Sequence, residues 1–260
     1  MKGLTGKRLL VAGGARGIGA ATARQLALEG AHVYVADLDA DGATAVAREI
    51  QLAGGAAESG RYDLYAEYSI GDLISDVARI LGGLDGVANV AADTSAALQG
   101  RDLDLLRMDV GVWEETLRAN LIGTGLVIRY ALPHLFEAGG GVIVNVTSDG
   151  SLAGEKVRVA YGASKAALNS LTRHVARTYG DRNVRANAVS PGAIMSETAL
   201  ATFDEKWQAL LLGLMPLRRP GNPHGQPADI AQVISFLMSD DANWITGQVW
   251  SVNGGSMMRE

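Results

Sequence analysis

Tyr161-Gly162-Ala163-Ser164-Lys165 sets a phenol and an ammonium four residues apart. On a helix, residues i and i+4 share a face, so both side chains can reach one ligand. A free phenol has a pKa of about 10, and a nearby cation can bring it down by about 1–3 pH units. Tyr161 could then give a proton to a forming alkoxide or take one from an alcohol. The bland alternative is a core tyrosine beside a solvated lysine. Upstream, Val142-Ile143-Val144-Asn145-Val146-Thr147-Ser148 reads as a strand that ends on a hydroxyl. Ligands of open parallel sheets bind at the carboxyl ends of the strands, so Ser148 is placed to donate to a substrate oxygen beside Tyr161. Ser148 is not in a G-x-S-x-G elbow, which argues against a hydrolase nucleophile. Asn120 interrupts a long apolar helix as either a satisfied buried amide or the holder of a proton-passing water.

A second constellation lies near the N-terminus. Gly13-Gly14-Ala15-Arg16-Gly17-Ile18-Gly19 follows the first apolar run and opens a helical pattern. Glycines there permit a sharp turn and close approach of a pyrophosphate to the helix N-terminus, whose free amides and dipole favour an anion. The next apolar run, His32-Val33-Tyr34-Val35-Ala36, ends in Asp37. That is roughly 20 residues past the glycines, where a carboxylate can accept hydrogen bonds from an adenosine ribose. The same carboxylate repels a 2′-phosphate, which favours NAD over NADP. Arg16 points the other way, since it could pair with such a phosphate, and Asp37 read alone is also an ordinary strand-end turn residue.

These residues need a scaffold. The runs Leu9–Ala12, Val33–Ala36, Val87–Val90, Val142–Val146, Val184–Val189 and Val249–Val252 read as buried strands. The stretches Ile18–Glu29, Ala43–Leu52, Tyr68–Leu81, Val112–Phe136, Tyr161–Tyr179 and Asp229–Met238 read as helices. Such alternation implies a parallel sheet with helices on both faces, and one α/β domain accounts for the whole length. Ser196–Met215 departs from the rhythm, being helical by pattern and carrying Leu200, Phe203, Trp207, Leu210, Leu211 and Leu214. It reads as a lid over a substrate cleft, or else as a helix packed on the core or another subunit. Pro216–Pro227, rich in proline and glycine, is loop.

Composition narrows the classes. The 260 residues carry a formal net charge of −5 and no basic block, which argues against nucleic acid as a partner. Cysteine is absent from the sequence, which excludes disulfides and thiolate chemistry. His32, His134, His174 and His224 lack metal-ligand spacing, so surface or structural roles are expected and no metal is. Without a signal-like apolar stretch or a run of about 18 apolar residues, the expectation is a cytoplasmic protein with no membrane partner.

Taken together, the chain resembles the short-chain dehydrogenase/reductase family in its single-domain branch, over nearly its entire length. The family's glycine motif is similar to Gly13–Gly19, and its Y-x-x-x-K to Tyr161–Lys165. Its serine and helix asparagine fall on Ser148 and Asn120. Its N-x-[AV]-S-P-G segment appears as Asn187-Ala188-Val189-Ser190-Pro191-Gly192. The resemblance implies a doubly wound, Rossmann-type sheet in one domain over 1–260, with a small helical lid and loop insertion at 196–227.

It also implies hydride transfer between a nicotinamide cofactor and a carbinol carbon. Tyr161 would move the proton, Ser148 would orient the oxygen, Lys165 would hold the ribose and tune the phenol, and Asn120 would anchor the relay. The dinucleotide would be bound by Gly13, Arg16, Gly17, Ile18, Gly19, Asp37, Leu38, Asp63, Leu64, Asn89, Ala91, Pro191, Gly192, Ile194 and Ser196, besides Tyr161 and Lys165. A dimer or tetramer paired through Val112–Phe136 and Tyr161–Tyr179 is implied as well. Departures from the pattern are Ala12 where the family has threonine, Val90 and Ala92 in its N-N-A-G, and a longer loop at 221–227. The expected activity is NAD-dependent oxidoreduction of a secondary alcohol or ketone with an apolar body. The alternatives are an NADPH-linked reductase of 3-oxoacyl thioesters and a dinucleotide sensor without chemistry. The acidic and basic residues Asp93, Asp149 and Glu155–Arg158 are expected to be solvated.

Overall fold

The computed structural model describes residues 1–196, 204–217, 219–220 and 224–258. Among them, seven strands form one parallel sheet. In chain order they are β1 (Arg8–Ala12), β2 (His32–Asp37), β3 (Ala56–Arg61), β4 (Gly86–Asn89), β5 (Gly141–Val146), β6 (Val184–Pro191) and β7 (Val249–Val252). The spatial order is β3-β2-β1-β4-β5-β6-β7. The chain therefore winds outward in both directions from β1 and β4, and ligand crevices in such sheets open where the winding reverses.

Strand alternation sorts the core. Leu9 and Val11 of β1, Val33 and Val35 of β2, and Val142 and Val144 of β5 pack on one face. Leu10, Tyr34 and Ile143 pack on the other. The first face is covered by α1 (Gly17–Leu28), α2 (Ala40–Leu52) and α10 (Pro227–Met238). The second is covered by α3 (Glu67–Leu81), α6 (Thr124–Glu137) and α8 (Val159–Tyr179). Short α4 (Ala96–Gln99), α5 (Val110–Leu117) and α7 (Gly150–Ala153) flank the crevice, and α9 (Glu205–Leu214) follows β6. Local chemistry agrees with these elements. Ile70, Leu73, Ile74, Val77 and Leu81 make the buried stripe of α3, which stops at Gly82 in the left-handed region, φ +73°. Asp39 caps α2 by accepting from Gly42 N at 3.0 Å.

The structure adds to the sequence reading and corrects it in one place. The strand β3 went unread because Ala-Ala-Glu-Ser-Gly-Arg has no branched or aromatic residue. As an edge strand it is held by its ladder to β2 and by buried Ala57. The single helix expected over Val112–Phe136 is α5 and α6 joined by a π-helical segment, Arg118–Gly123. In Ser196–Met215, only α9 is a described helix. Leu200 and Phe203 lie outside the described residues, while Leu210 and Leu214 are exposed. Gly221–Pro223 also lies outside them. Among the described residues no helix is long and apolar enough to cross a membrane.

Ile143, with no exposed surface, is central to the second core. Ile143→Ala is expected to lower the unfolding free energy by about 2–5 kcal/mol in urea denaturation. A loss below about 1 kcal/mol would contradict tight packing there.

Candidate active site

The β1–α1 turn is shaped for close approach. Gly13 has φ +93° and Gly17 φ +53°, both in the region glycine favours. A Cβ on Gly13 would stand 2.4 Å from Ala91 N, and one on Gly19 would stand 1.7 Å from Gly13 O. Gly13 N and Gly14 N donate to Ala36 O at 2.7 and 3.0 Å, which folds the turn back onto β2. The start of α1 receives no capping bond from the side chain of its cap residue, Arg16, which is extended and exposed. The first amides and dipole end of α1 thus open on the crevice beside Ile18. Ser196, beyond β6, reaches the same turn: its Cβ would lie 3.7 Å from a Cβ on Gly17.

Asp37 ends β2 with its carboxylate held in place. Oδ2 accepts from Ala15 N at 3.0 Å and Oδ1 from Asp39 N at 3.1 Å. Leu38 beside it is exposed. Tyr62 N donates to Asp37 O at 3.0 Å, which brings Asp63 and Leu64 alongside. The departures at Ala12, Val90 and Ala92 leave the backbone path intact: Val90 N and Ala91 N both donate to Ala12 O at 2.8 Å. At the far end, Asp149 N donates to Pro191 O at 3.0 Å and Gly192 N to Val252 O at 3.1 Å. Ile194 bridges to Gly225, a described part of the 221–227 loop.

The chemical residues gather at the carboxyl ends of β4 and β5. The first turns of α8 carry Tyr161 and Lys165. Lys165 is 2% exposed. Its Nζ donates to Val146 O at 3.0 Å and lies 5.8 Å from the centre of the Tyr161 ring. Ser148 Oγ accepts from Gly150 N at 3.1 Å. Asn120, fully buried in the π segment, accepts from Asp93 N at 2.8 Å, while its Nδ2 is a buried donor without a partner. Such an orphaned donor calls for a further acceptor in the crevice, such as a water.

The expected electrostatics needs correction. Burial pushes the Tyr161 phenol above its usual value, and the Ser148 hydroxyl and Arg158 guanidinium only partly offset this. Burial also drives Lys165 down to about 8. Desolvation disfavours both charged forms, so the pair is not a phenolate beside an ammonium. Tyr161 is instead held protonated at neutral pH and disposed to act as an acid.

Some partners went unread. Asn89 Nδ2 donates to Asn145 Oδ1 at 2.8 Å, and Asn145 Nδ2 to Thr172 Oγ1 at 2.9 Å, in a buried polar ladder linking β4, β5 and α8. Asp149 is not merely solvated. It accepts from Ser190 Oγ at 3.0 Å and from Asn253 Nδ2 at 2.7 Å, tying the ends of β5, β6 and β7 together. Arg158 is not free either: it pairs with Glu155 at 2.5 Å and lies 5.3 Å over the Tyr161 ring. The asparagines inside apolar strands were the available signal for the ladder. Asp149 gave none beyond following Ser148. A separate cavity of about 200 Å³ lies beyond β6, lined in part by Ile194, Met215, Leu217 and Gly254.

The turn at Gly13–Gly19, where a Cβ on Gly13, Gly14 or Gly19 would clash, and the anchored Asp37 carboxylate fit a dinucleotide. Gly13→Ala is expected to weaken NADH binding at least about tenfold in fluorescence titration, because backbone cannot yield to the added methyl. Unchanged binding would remove the turn from the site. Lys165 gives a second expectation. Its pKa falls from 10.5 unfolded to about 8 folded, so between those values the unfolded chain binds the extra proton. Stability from this group therefore rises with pH across the window. The difference in unfolding free energy between wild type and Lys165→Met should move toward wild type by on the order of 3 kcal/mol from pH 7 to 10.5. A pH-independent difference would contradict a desolvated ammonium.

Known proteins share this architecture. A family model described as Enoyl-(Acyl carrier protein) reductase matches residues 12–257. A probable short-chain type dehydrogenase/reductase of Bradyrhizobium diazoefficiens is 39% identical over 97% of this chain and 88% of its own length. A 7alpha-hydroxysteroid dehydrogenase of Clostridium sardiniense is 36% identical over 98% of this chain and 95% of its own. A solved 7 alpha-hydroxysteroid dehydrogenase, complexed with NADH and 7-oxo glycochenodeoxycholic acid, superposes with a TM-score of 0.90 at 31% identity. It covers 98% of this chain and 96% of that one. With the glycine turn, Ser148, Tyr161 and Lys165 arranged along one sheet edge, the chain belongs to the short-chain dehydrogenase/reductase family.

Proposed function

We propose that the protein interconverts a secondary alcohol and a ketone on an apolar, ring-bearing substrate, with NAD(H) as the preferred cofactor. The observation that carries this reading is the placement of half-buried Tyr161 and buried Lys165, one helical turn apart, at the β5 end that bears Ser148. A bound nicotinamide supplies or accepts the hydride. In the reducing direction Tyr161 Oη gives its proton to the carbonyl oxygen, and Ser148 Oγ donates a hydrogen bond to the same oxygen. Lys165 holds the cofactor ribose, and the orphaned Asn120 amide anchors the water that re-supplies the proton. Gly13, Gly17, Ile18 and Gly19 receive the pyrophosphate with Ser196. Asp63 and Leu64 flank the adenine, and Asn89, Ala91, Pro191, Gly192 and Ile194 line the nicotinamide half.

Asp37 supports NAD over NADP. Two amides fix its carboxylate at the end of β2, and a 2′-phosphate brought beside it would meet a like charge. Exposed Arg16 does not offset a charge held in place. The substrate class draws on the relatives named for 7α-hydroxysteroids. The family resemblance supports assembly into a homo-oligomer, paired through 112–136 and 161–179.

Tyr161→Phe is expected to reduce NADH formation from a 7α-hydroxysteroid or a related ring alcohol by about 10²–10⁴-fold with NADH affinity retained. Activity that survives the substitution would sink the proton-transfer role. Asp37→Ala should raise the NADPH/NADH ratio of kcat/KM by about tenfold or more, equivalent to about 1.4 kcal/mol. An unchanged ratio, or a wild type that already prefers NADPH, would overturn the cofactor assignment.

A further inference from the structure

The first turn of α8 holds Tyr161, yet nothing in α8 caps it. Its cap position is taken by Arg158, a non-glycine residue in the left-handed region at φ +65°, which makes no side-chain capping bond. The cap comes from a distant segment. Asp102, between α4 and α5, is 4% exposed. Its Oδ1 accepts from Ala160 N at 3.0 Å and its Oδ2 from Tyr161 N at 2.8 Å. Its main-chain carbonyl also accepts from Arg158 N at 2.8 Å. A helix N-terminus is where a buried carboxylate is best tolerated, because unpaired amides and the dipole both face it.

The clamp is itself anchored. Neighbouring Arg101 reaches Glu115 of α5 at 2.7 Å, and Leu98, Val112 and Ala160 pack together beneath it. Two carboxylate oxygens on consecutive amides restrain both the rotation of the first turn and its height along the helix axis. Those two coordinates decide where the Tyr161 hydroxyl stands relative to Ser148.

We propose that Asp102 is a positioning residue for the reaction, holding the Tyr161 hydroxyl at the substrate oxygen by pinning the start of α8 from the wall of the crevice. The inference rests on the acid–base role given to Tyr161 above. Displacement of a reacting group by about 1 Å costs roughly 10²-fold in rate, so the effect belongs in kcat rather than in cofactor binding.

The test compares Asp102→Asn, Asp102→Ala and Tyr161→Phe with wild type, using NADH and a ring ketone, with active sites counted by NADH titration. Asparagine keeps one acceptor oxygen and can serve one amide, whereas alanine serves neither. The expected result is a graded fall in kcat per bound NADH, about tenfold for Asn and about a hundredfold for Ala, with NADH Kd within about twofold of wild type. Wild-type kcat in both variants while Tyr161→Phe is inactive would overturn the proposal. So would equal losses in both variants accompanied by weakened NADH binding, the mark of a general structural role. Should Tyr161→Phe stay active, the acid–base reading fails first and takes the positioning role with it. If the alanine variant does not fold, the asparagine variant alone decides by the same kcat and Kd criteria.

Discussion

All strands of the sheet run in one direction, so all their carboxyl ends open on a single edge, and there the backbone runs out of ladder partners. Every amide and carbonyl buried on that edge must find a side chain, a turn or a ligand. The chain meets this need differently along its length. At β1 the turn folds back onto Ala36 O and leaves the α1 amides open. At β5 and β6 Asp149 gathers Ser190 and Asn253. At the start of α8 a carboxylate from another segment serves the amides. Cofactor end and chemical end are thus neighbours because topology places them so, with β1 and β4 side by side where the winding reverses.

The second governing fact is desolvation. Lys165 is driven down to about 8 by burial alone, and the Tyr161 phenol is driven up. A buried ammonium on a main-chain carbonyl lowers stability at neutral pH, and a packed apolar residue would not carry that penalty. The fold retains it at the site proposed for proton transfer, in keeping with strained or costly groups collecting at functional sites. The buried ladder of Asn89, Asn145 and Thr172 beneath this site is nearly satisfied, which stiffens the ends of β4 and β5.

Much of this was legible in the residues. Tyr161, Lys165, Ser148 and the glycine turn announced themselves through spacing, and the alternation of apolar runs with amphipathic stretches gave the doubly wound sheet. Other features resisted for physical reasons. The Ala56–Arg61 strand carries no hydrophobic pattern, because an edge strand can be held by its backbone. The π segment around Asn120 keeps helical periodicity in sequence and differs only in its hydrogen-bond ring. The direction of the Tyr161 shift was misread because sequence shows a cation four residues away and does not show burial. Asp102 and Asp149 act on partners far along the chain, so no local pattern points to them. Substrate identity stayed unread, since it depends on cleft shape rather than on a motif.

On the reading proposed above, this crevice transfers a hydride to a carbonyl carbon while a tyrosine supplies the proton. The most direct measurement is a single turnover with NADH deuterated at the transferring position of the nicotinamide and a 7-oxosteroid, followed by mass spectrometry of the product. One deuterium is expected on the new carbinol carbon. Alcohol product lacking the deuterium would contradict it, as would binding of both ligands with no reduction in folded protein.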